Sequence, residues 1–172
     1  MQRFFAFILL IILSPFIALI IIVLFIASGN PIIFRQERIG LNKEPFIVFK
    51  FRTMTNGQIH FIGRILRKTG LDEIPQFINI VRGEMNFVGP RPLTQSDISR
   101  LNWTKEEHSF RWSVLPGITG VAQLDNVCNA DISLSNDRVY IENKSIHYDI
   151  KLIIKSLLIP FFGKGKKTIS TK

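Results

Sequence analysis

Asp72 and Glu73 form an adjacent acidic pair in a chain that carries 22 Lys and Arg against 13 Asp and Glu. After the pair, Ile74, Phe77, Ile78 and Val81 recur at the spacing of one apolar helix face, and Gly83 marks the end of that helix. Pro75 is tolerated only in a first turn, where its missing N–H costs no helix bond. The pair therefore stands at or just before a helix N-terminus. There the positive end of the helix favours an ionised carboxylate and also attracts phosphate. Two readings are open: an acidic helix cap, or a nucleophile or metal ligand acting on an anionic substrate.

Candidate cations flank the pair. Lys50 and Arg52 alternate along Pro45–Arg52, which reads as a strand, so both are expected on one face. That face suits a phosphate, or is simply solvated. Phe61–Lys68 reads as a short helix bearing Arg64, Arg67 and Lys68. Arg91 stands between Pro90 and Pro92, whose fixed backbone would let a guanidinium grip phosphate at small entropic cost, with a plain turn as the alternative. Pro116-Gly117-Ile118-Thr119-Gly120 is a second punctuated loop, expected to bring backbone close to a ligand.

The elements that must position these residues include a membrane segment. No charge occurs from Phe4 to Phe34, and Phe4–Ala27 is almost wholly apolar. A signal peptide fits poorly, with Arg3 the only early cation and an apolar run well beyond ~7–15 residues. Ser14-Pro15 divides the run into halves of roughly 15 and 20 Å, each short of a ~30 Å hydrocarbon core. A kinked span and a re-entrant hairpin are both allowed. Arg35, Arg38, Lys43, Lys50 and Arg52 place the globular part beyond this segment in the cytoplasm by the positive-inside rule.

Ile32–Arg38 and Pro45–Arg52 read as strands joined around Gly40-Leu41-Asn42, and Arg100–Trp112 reads as a helix. Asp137–Tyr140 is expected in a polar connection. Tyr148–Phe162, with Lys151 and Lys155 and then Lys164, Lys166 and Lys167, reads as an interfacial helix with snorkelling lysines, or as a core helix with one exposed edge.

The net charge of +9 implies an anionic partner: nucleic acid, acidic lipid or a phosphorylated substrate. A single cysteine, Cys128, excludes an intrachain disulfide, and the three histidines have no zinc spacing. Neither G-x-x-x-x-G-K-[ST] nor G-x-G-x-x-G occurs, so the ordinary nucleotide-binding loops are absent. Besides an enzyme, a membrane-tethered binder of nucleic acid or anionic lipid and a structural subunit of an assembly complex are compatible classes.

The order of the motifs is more specific. The Ser14-Pro15 break is followed by Lys50-Phe51-Arg52-Thr53-Met54, Leu71-Asp72-Glu73-Ile74-Pro75-Gln76, Gly89-Pro90-Arg91-Pro92 and Pro116-Gly117-Ile118-Thr119-Gly120-Val121-Ala122-Gln123. This resembles the bacterial sugar transferase family, specifically its small monotopic phosphoglycosyl transferases. The resemblance implies transfer of a sugar phosphate, expected to carry an N-acetylated amino sugar, from a UDP-sugar to undecaprenyl phosphate with release of UMP. It implies Asp72 as the nucleophile, Glu73 as its metal-site or acid–base partner, and Mg²⁺ as the cofactor.

The expected substrate-binding set is Lys50, Arg52, Arg67, Arg91, Pro92, Arg111, Gln123 and Asp137. The resemblance further implies an α+β, mainly helical monotopic protein with a small β-hairpin and interfacial amphipathic helices. Its expected parts are a re-entrant helix-break-helix over 1–30, a catalytic domain over 31–147 on the cytoplasmic face of the bacterial inner membrane, and an interfacial helix with basic tail over 148–172. Membrane lipid and downstream glycosyltransferases are the expected partners, and nucleic acid is not. Departures from the family pattern are the short Met54–Phe61 connection, Leu115 and Val121 around the second loop, and Leu124-Asp125 after it.

Overall fold

A computed structural model describes residues 1–125 and 129–162. Cys128 and the basic tail with Lys164, Lys166 and Lys167 lie outside the described residues. The chain forms two compact units: residues 1–37 with 47–84, and residues 38–46 with 85–172.

The first unit begins with α1 (Gln2–Ser28), a single helix long and apolar enough to cross a membrane by length and composition. The helix continues through Pro15. Proline at 15 deprives the Ile11 carbonyl of its N–H donor, and the Ser14 hydroxyl donates to that carbonyl at 2.7 Å instead. The Ser-Pro pair thus removes one backbone bond and supplies its replacement.

Strands β1 (Ile33–Ile39) and β2 (Pro45–Phe51) pair as a two-stranded sheet, each within a residue of expectation. Their turn is a 3-10 segment, Leu41–Lys43, with Asn42 and Lys43 at left-handed φ. A minimal hairpin, β3 (Met54–Thr55) and β4 (Gln58–Ile59), leads into α2 (Phe61–Thr69). Gly70, at φ 74°, both ends α2 and opens a 3-10 turn over Leu71–Gln76. α3 (Phe77–Arg82) follows directly and stops at Gly83, φ 80°.

The helix anticipated after the acidic pair therefore starts earlier and starts as 3-10. A 3-10 turn advances about 20° more per residue than an α-helix, which shifts the phase of the buried face. Ile74 and Ile80 are buried, whereas Ile78, expected in the apolar face, is exposed. Fully buried Asn79 ties α3 to β2, donating to the Ile47 carbonyl and accepting from the Phe49 N–H. The core of this unit joins Ile20 and Leu24 of α1 to Phe51, Leu66 and Ile74.

In the second unit, β5 (Asn86–Val88) and β6 (Gly117–Thr119) pair in parallel, Asn86 opposite Gly117 and Val88 opposite Thr119. α4 (Gln95–Arg100) starts at a capping box between Thr94 and Asp97. Only a 3-10 segment covers Glu106–Trp112, so the continuous Arg100–Trp112 helix is not formed. Asn102, at left-handed φ, lies between the two pieces.

α5 (Val121–Leu124), α6 (Ala130–Asn143) and α7 (Ile146–Phe162) complete the unit. Asp137 and Tyr140 therefore lie within a helix, not in a connection. Their helix escapes a hydropathy reading because its two buried residues are these polar ones. α7 sets Leu152 against Val88 and Tyr140. Its Ile146, Ile150, Ile154, Leu157 and Leu158 form an exposed apolar stripe.

Candidate active site

The 3-10 turn entered through Gly70 holds Asp72 and Glu73 half-buried. Lys50 Nζ donates to Glu73 Oε1 at 2.5 Å, so this strand cation meets the acidic pair directly. Burial pushes the Asp72 carboxyl above the ordinary carboxylate range, and repulsion from Glu73 adds to the rise. The charges of Lys50 and Arg67 pull it back down, as does a bond from its own backbone. A desolvated carboxylate with cations beside it is poised to become a nucleophile when an anion's charge is offset.

The other two cations of the expected binding set in this unit each have a protein partner. Arg67 Nε donates to Thr53 Oγ1 at 2.8 Å. Arg52 does not share a free face with Lys50: β2 ends at Phe51, and the Arg52 guanidinium turns to the end of α1. It donates to the carbonyls of Ser28, Gly29 (2.8 Å) and Asn30 (3.1 Å). Carbonyls left open at a helix C-terminus are satisfied by a cation that also complements the helix dipole.

The second unit brings together the two Gly/Pro motifs. β5 runs into Gly89-Pro90-Arg91-Pro92 and lies beside β6, so the loops begin at neighbouring strands. Gly117 N–H donates to the Pro90 carbonyl at 2.9 Å. A Cβ at Gly89 would lie 2.7 Å from the Gly117 nitrogen, and one at Gly120 would run into the Gly89 carbonyl. The close approach for which these glycines are needed is backbone to backbone, not backbone to ligand. Gln123 lies over the same junction, its Nε2 3.4 Å from the Gly89 carbonyl.

Arg91 is exposed, but Arg111 and Asp137 are 4% and 2% exposed. Arg111 Nε donates to Asp137 Oδ2 at 2.6 Å, and its Nη2 donates to the Arg91 carbonyl. Burial pushes Asp137 up and Arg111 down, while each charge favours the ionised form of the other. The rings of Trp103 and Trp112 lie 5.1 and 5.9 Å from the Arg111 guanidinium carbon. This arrangement holds the Arg91 segment and gives a ligand little access to either charge. Of these three residues, Arg91 alone is exposed.

The family model described as bacterial sugar transferase matches residues 1–163. The chain belongs to that family. A Klebsiella pneumoniae relative, UDP-glucose:undecaprenyl-phosphate glucose-1-phosphate transferase, is 33% identical across 91% of this chain and 38% of its own length. The uncharacterized sugar transferase EpsL of Bacillus subtilis is 35% identical, covering 81% of the chain and 75% of EpsL. An Aeromonas hydrophila UDP-N-acetylgalactosamine-undecaprenyl-phosphate N-acetylgalactosaminephosphotransferase is 29% identical across 90% of the chain and 41% of the relative. The chain thus spans about two fifths of the length of several relatives it matches.

For a sugar transferase, a divalent cation is a question of donor chemistry. Among the described residues no three His, Cys, Asp or Glu side chains converge as a closed cage. Mg²⁺ needs none, because it takes one or two carboxylates and completes its shell with phosphate oxygens and water. Asp72 and Glu73 fit that requirement. Thr53 is a residue of this site that the sequence reading missed. Its signal was adjacency to Arg52 in the Lys50–Met54 motif, where only the charged positions drew attention.

Proposed function

We propose that this chain is a phosphoglycosyl transferase that moves a sugar-1-phosphate from a UDP-sugar to undecaprenyl phosphate. The observation that carries the reading is Asp72, half-buried and flanked by Lys50 and Arg67 in the unit that contains the apolar helix α1. The Asp72 carboxylate attacks the sugar-bearing phosphorus, the phosphoanhydride bond breaks, and UMP leaves with the bonding electrons. A phosphate oxygen of undecaprenyl phosphate then attacks the aspartyl phosphosugar, and the Asp72 O–P bond breaks.

Asp72 and Glu73 would hold Mg²⁺, which when bound offsets the diphosphate charge. Lys50 holds Glu73 in place, and Arg67 meets the phosphate. Arg91, Pro92 and Gln123 are proposed as substrate-binding residues in their own right, with Arg111 and Asp137 supporting Arg91.

The proposed donor sugar is an N-acetylated amino sugar, and the product is the first lipid-linked intermediate of a surface glycan. α1 is proposed to enter and leave the bacterial inner membrane on the cytoplasmic side, bent at Ser14-Pro15. What supports the bend is Pro15, which withdraws a backbone donor, with the Ser14 hydroxyl on the Ile11 carbonyl in its place. The exposed stripe of α7 is proposed to lie in the interface with Lys151 and Lys155 reaching the headgroups.

The test is UMP release from purified protein with undecaprenyl phosphate, Mg²⁺ and a panel of UDP-sugars that includes UDP-glucose and UDP-N-acetylgalactosamine. Turnover of one or a few donors, abolished in Asp72→Asn, supports the reading. Undiminished turnover by Asp72→Ala would sink the covalent mechanism.

A further inference from the structure

α2 is fastened to the segment that leaves β2 at three successive points. His60, the N-cap, accepts the Gly63 N–H on Nδ1 at 3.0 Å. Its proton therefore sits on Nε2, which donates to the Arg52 carbonyl at 3.3 Å. One turn on, Gly63 lies directly on the Thr53 backbone, where a Cβ would be driven into the Thr53 carbonyl and to 2.9 Å from its Cα. One further turn brings Arg67 to the same face of α2, with its Nε 2.8 Å from the Thr53 hydroxyl.

Thr53 is 5% exposed, so the hydroxyl that receives Arg67 is a fixed point rather than a surface group. A solvated arginine needs no such acceptor. Engaging Nε fixes the guanidinium plane while leaving the Nη edge, with four N–H donors, for a bidentate anion contact. Arg67 is followed after two residues by Gly70, whose left-handed turn delivers Asp72. The segment that fixes Arg67 is thus the one that also carries Lys50 to Glu73.

We propose that Thr53 is a positioning residue for phosphoryl transfer, its hydroxyl holding Arg67 so that the guanidinium edge meets the substrate phosphate at Asp72. The inference rests on the phosphoglycosyl transferase reading and adds a residue that never touches substrate. Thr53→Val keeps the shape and removes the acceptor. Thr53→Ser keeps the acceptor. Arg67→Lys keeps the charge but has no Nε to be held.

UMP release is measured for each variant and for the Thr53→Val, Arg67→Lys double variant, alongside thermal melting. Thr53→Val is expected to lower kcat/KM by about ten- to a hundredfold, the scale of a hydrogen bond to a charged group. Thr53→Ser is expected to recover to within about threefold of the parent. In the Arg67→Lys background the valine substitution is expected to change turnover by less than about twofold, since the contact is already gone.

Equal losses from Thr53→Val in both backgrounds, failure of serine to rescue, or a loss that only follows the folded fraction overturns the proposal. If valine impairs folding, Thr53→Ala is read through the same cycle. Parental turnover with an unaffected Thr53→Val overturns this inference alone. No UMP release by the parent from any donor overturns the transferase reading and this inference with it.

Discussion

Arg111 and Asp137 form a buried ion pair at 2.6 Å, and the same guanidinium donates to the carbonyl of Arg91. Two charges that resemble substrate ligands in the sequence are thereby spent on holding a third. A buried pair is sensitive to loss of one member, because the survivor is left charged without a partner. Asp137→Ala is expected to cost about 3–5 kcal/mol of stability, measured by denaturant unfolding. Arg111→Met combined with Asp137→Leu should recover much of that loss, since apolar replacements of similar size remove both desolvation penalties.

Arg52 leads to a separable expectation. Its contacts are the carbonyls of Ser28, Gly29 and Asn30 at the end of α1. Arg52→Ala should therefore destabilise the protein by about 1.5–3 kcal/mol, the scale of hydrogen bonds to a charged group. Arg52→Lys should rescue only in part, because a point charge cannot span three carbonyls as a planar fork does. The KM for the UDP-sugar should not change in the folded fraction. A raised KM with normal melting would return Arg52 to the substrate.

Much of the first unit was legible because its signals are local. Alternation marked β2, Gly83 marked the end of α3, and the acidic pair lies at the opening of a helical turn. What escaped was the destination of side chains. Lys50 and Arg52 look equivalent along a strand, but β2 ends between them and each finds a partner more than 20 residues away. The second unit was less readable. α6 buries an aspartate and a tyrosine, so its inner face carries no hydropathy period. The parallel pairing of β5 with β6 depends on backbone contacts between glycine-containing segments that no local pattern announces.

Asp72 carries the expected pH dependence. Its carboxyl titrates above the ordinary value of 3.8, so turnover on the acidic side should fall at a higher pH than for an unperturbed aspartate. Lys50 and Arg67 both favour the ionised form. Lys50→Met or Arg67→Met should therefore move that limb to still higher pH, and Glu73→Gln should move it lower, whatever each does to the maximal rate. Stability runs the other way. The folded state binds this proton more tightly than the unfolded chain, so the contribution is present below 3.8 and lost as pH rises through the raised value.

Tyr140 holds a different junction. Its hydroxyl oxygen lies 2.9 Å from the Val88 carbonyl and 3.0 Å from Asp149 Oδ1. One phenolic proton cannot serve two acceptors fully, and burial pushes the Asp149 carboxyl up toward its protonated form, which can donate to the phenol oxygen. Tyr140→Phe should leave a buried carbonyl and carboxyl without this partner and cost about 1–3 kcal/mol. Asp149→Asn preserves a donor and should cost less. The order of the two melting temperatures checks the proton assignment, and equal losses would contradict it.

Ser14 and Pro15 set the last expectation, which concerns topology. Proline withdraws the N–H that would close on Ile11, and the Ser14 hydroxyl takes its place at 2.7 Å. In hydrocarbon an unpaired carbonyl is costly, so the serine hydroxyl would stabilise the proposed bend. Pro15→Ala restores the backbone donor and would remove the cause of the proposed bend, leaving a helix of about 40 Å, enough to cross a bilayer. A cysteine placed at Gln2 should then change from cytoplasmic labelling in the parent to periplasmic labelling in a fraction of the Pro15→Ala chains. Ser14→Ala alone should keep the cytoplasmic pattern but lower stability by about 0.6–1.7 kcal/mol, the range for polar contacts within membranes. Periplasmic labelling of the parent would mean that α1 spans despite its proline.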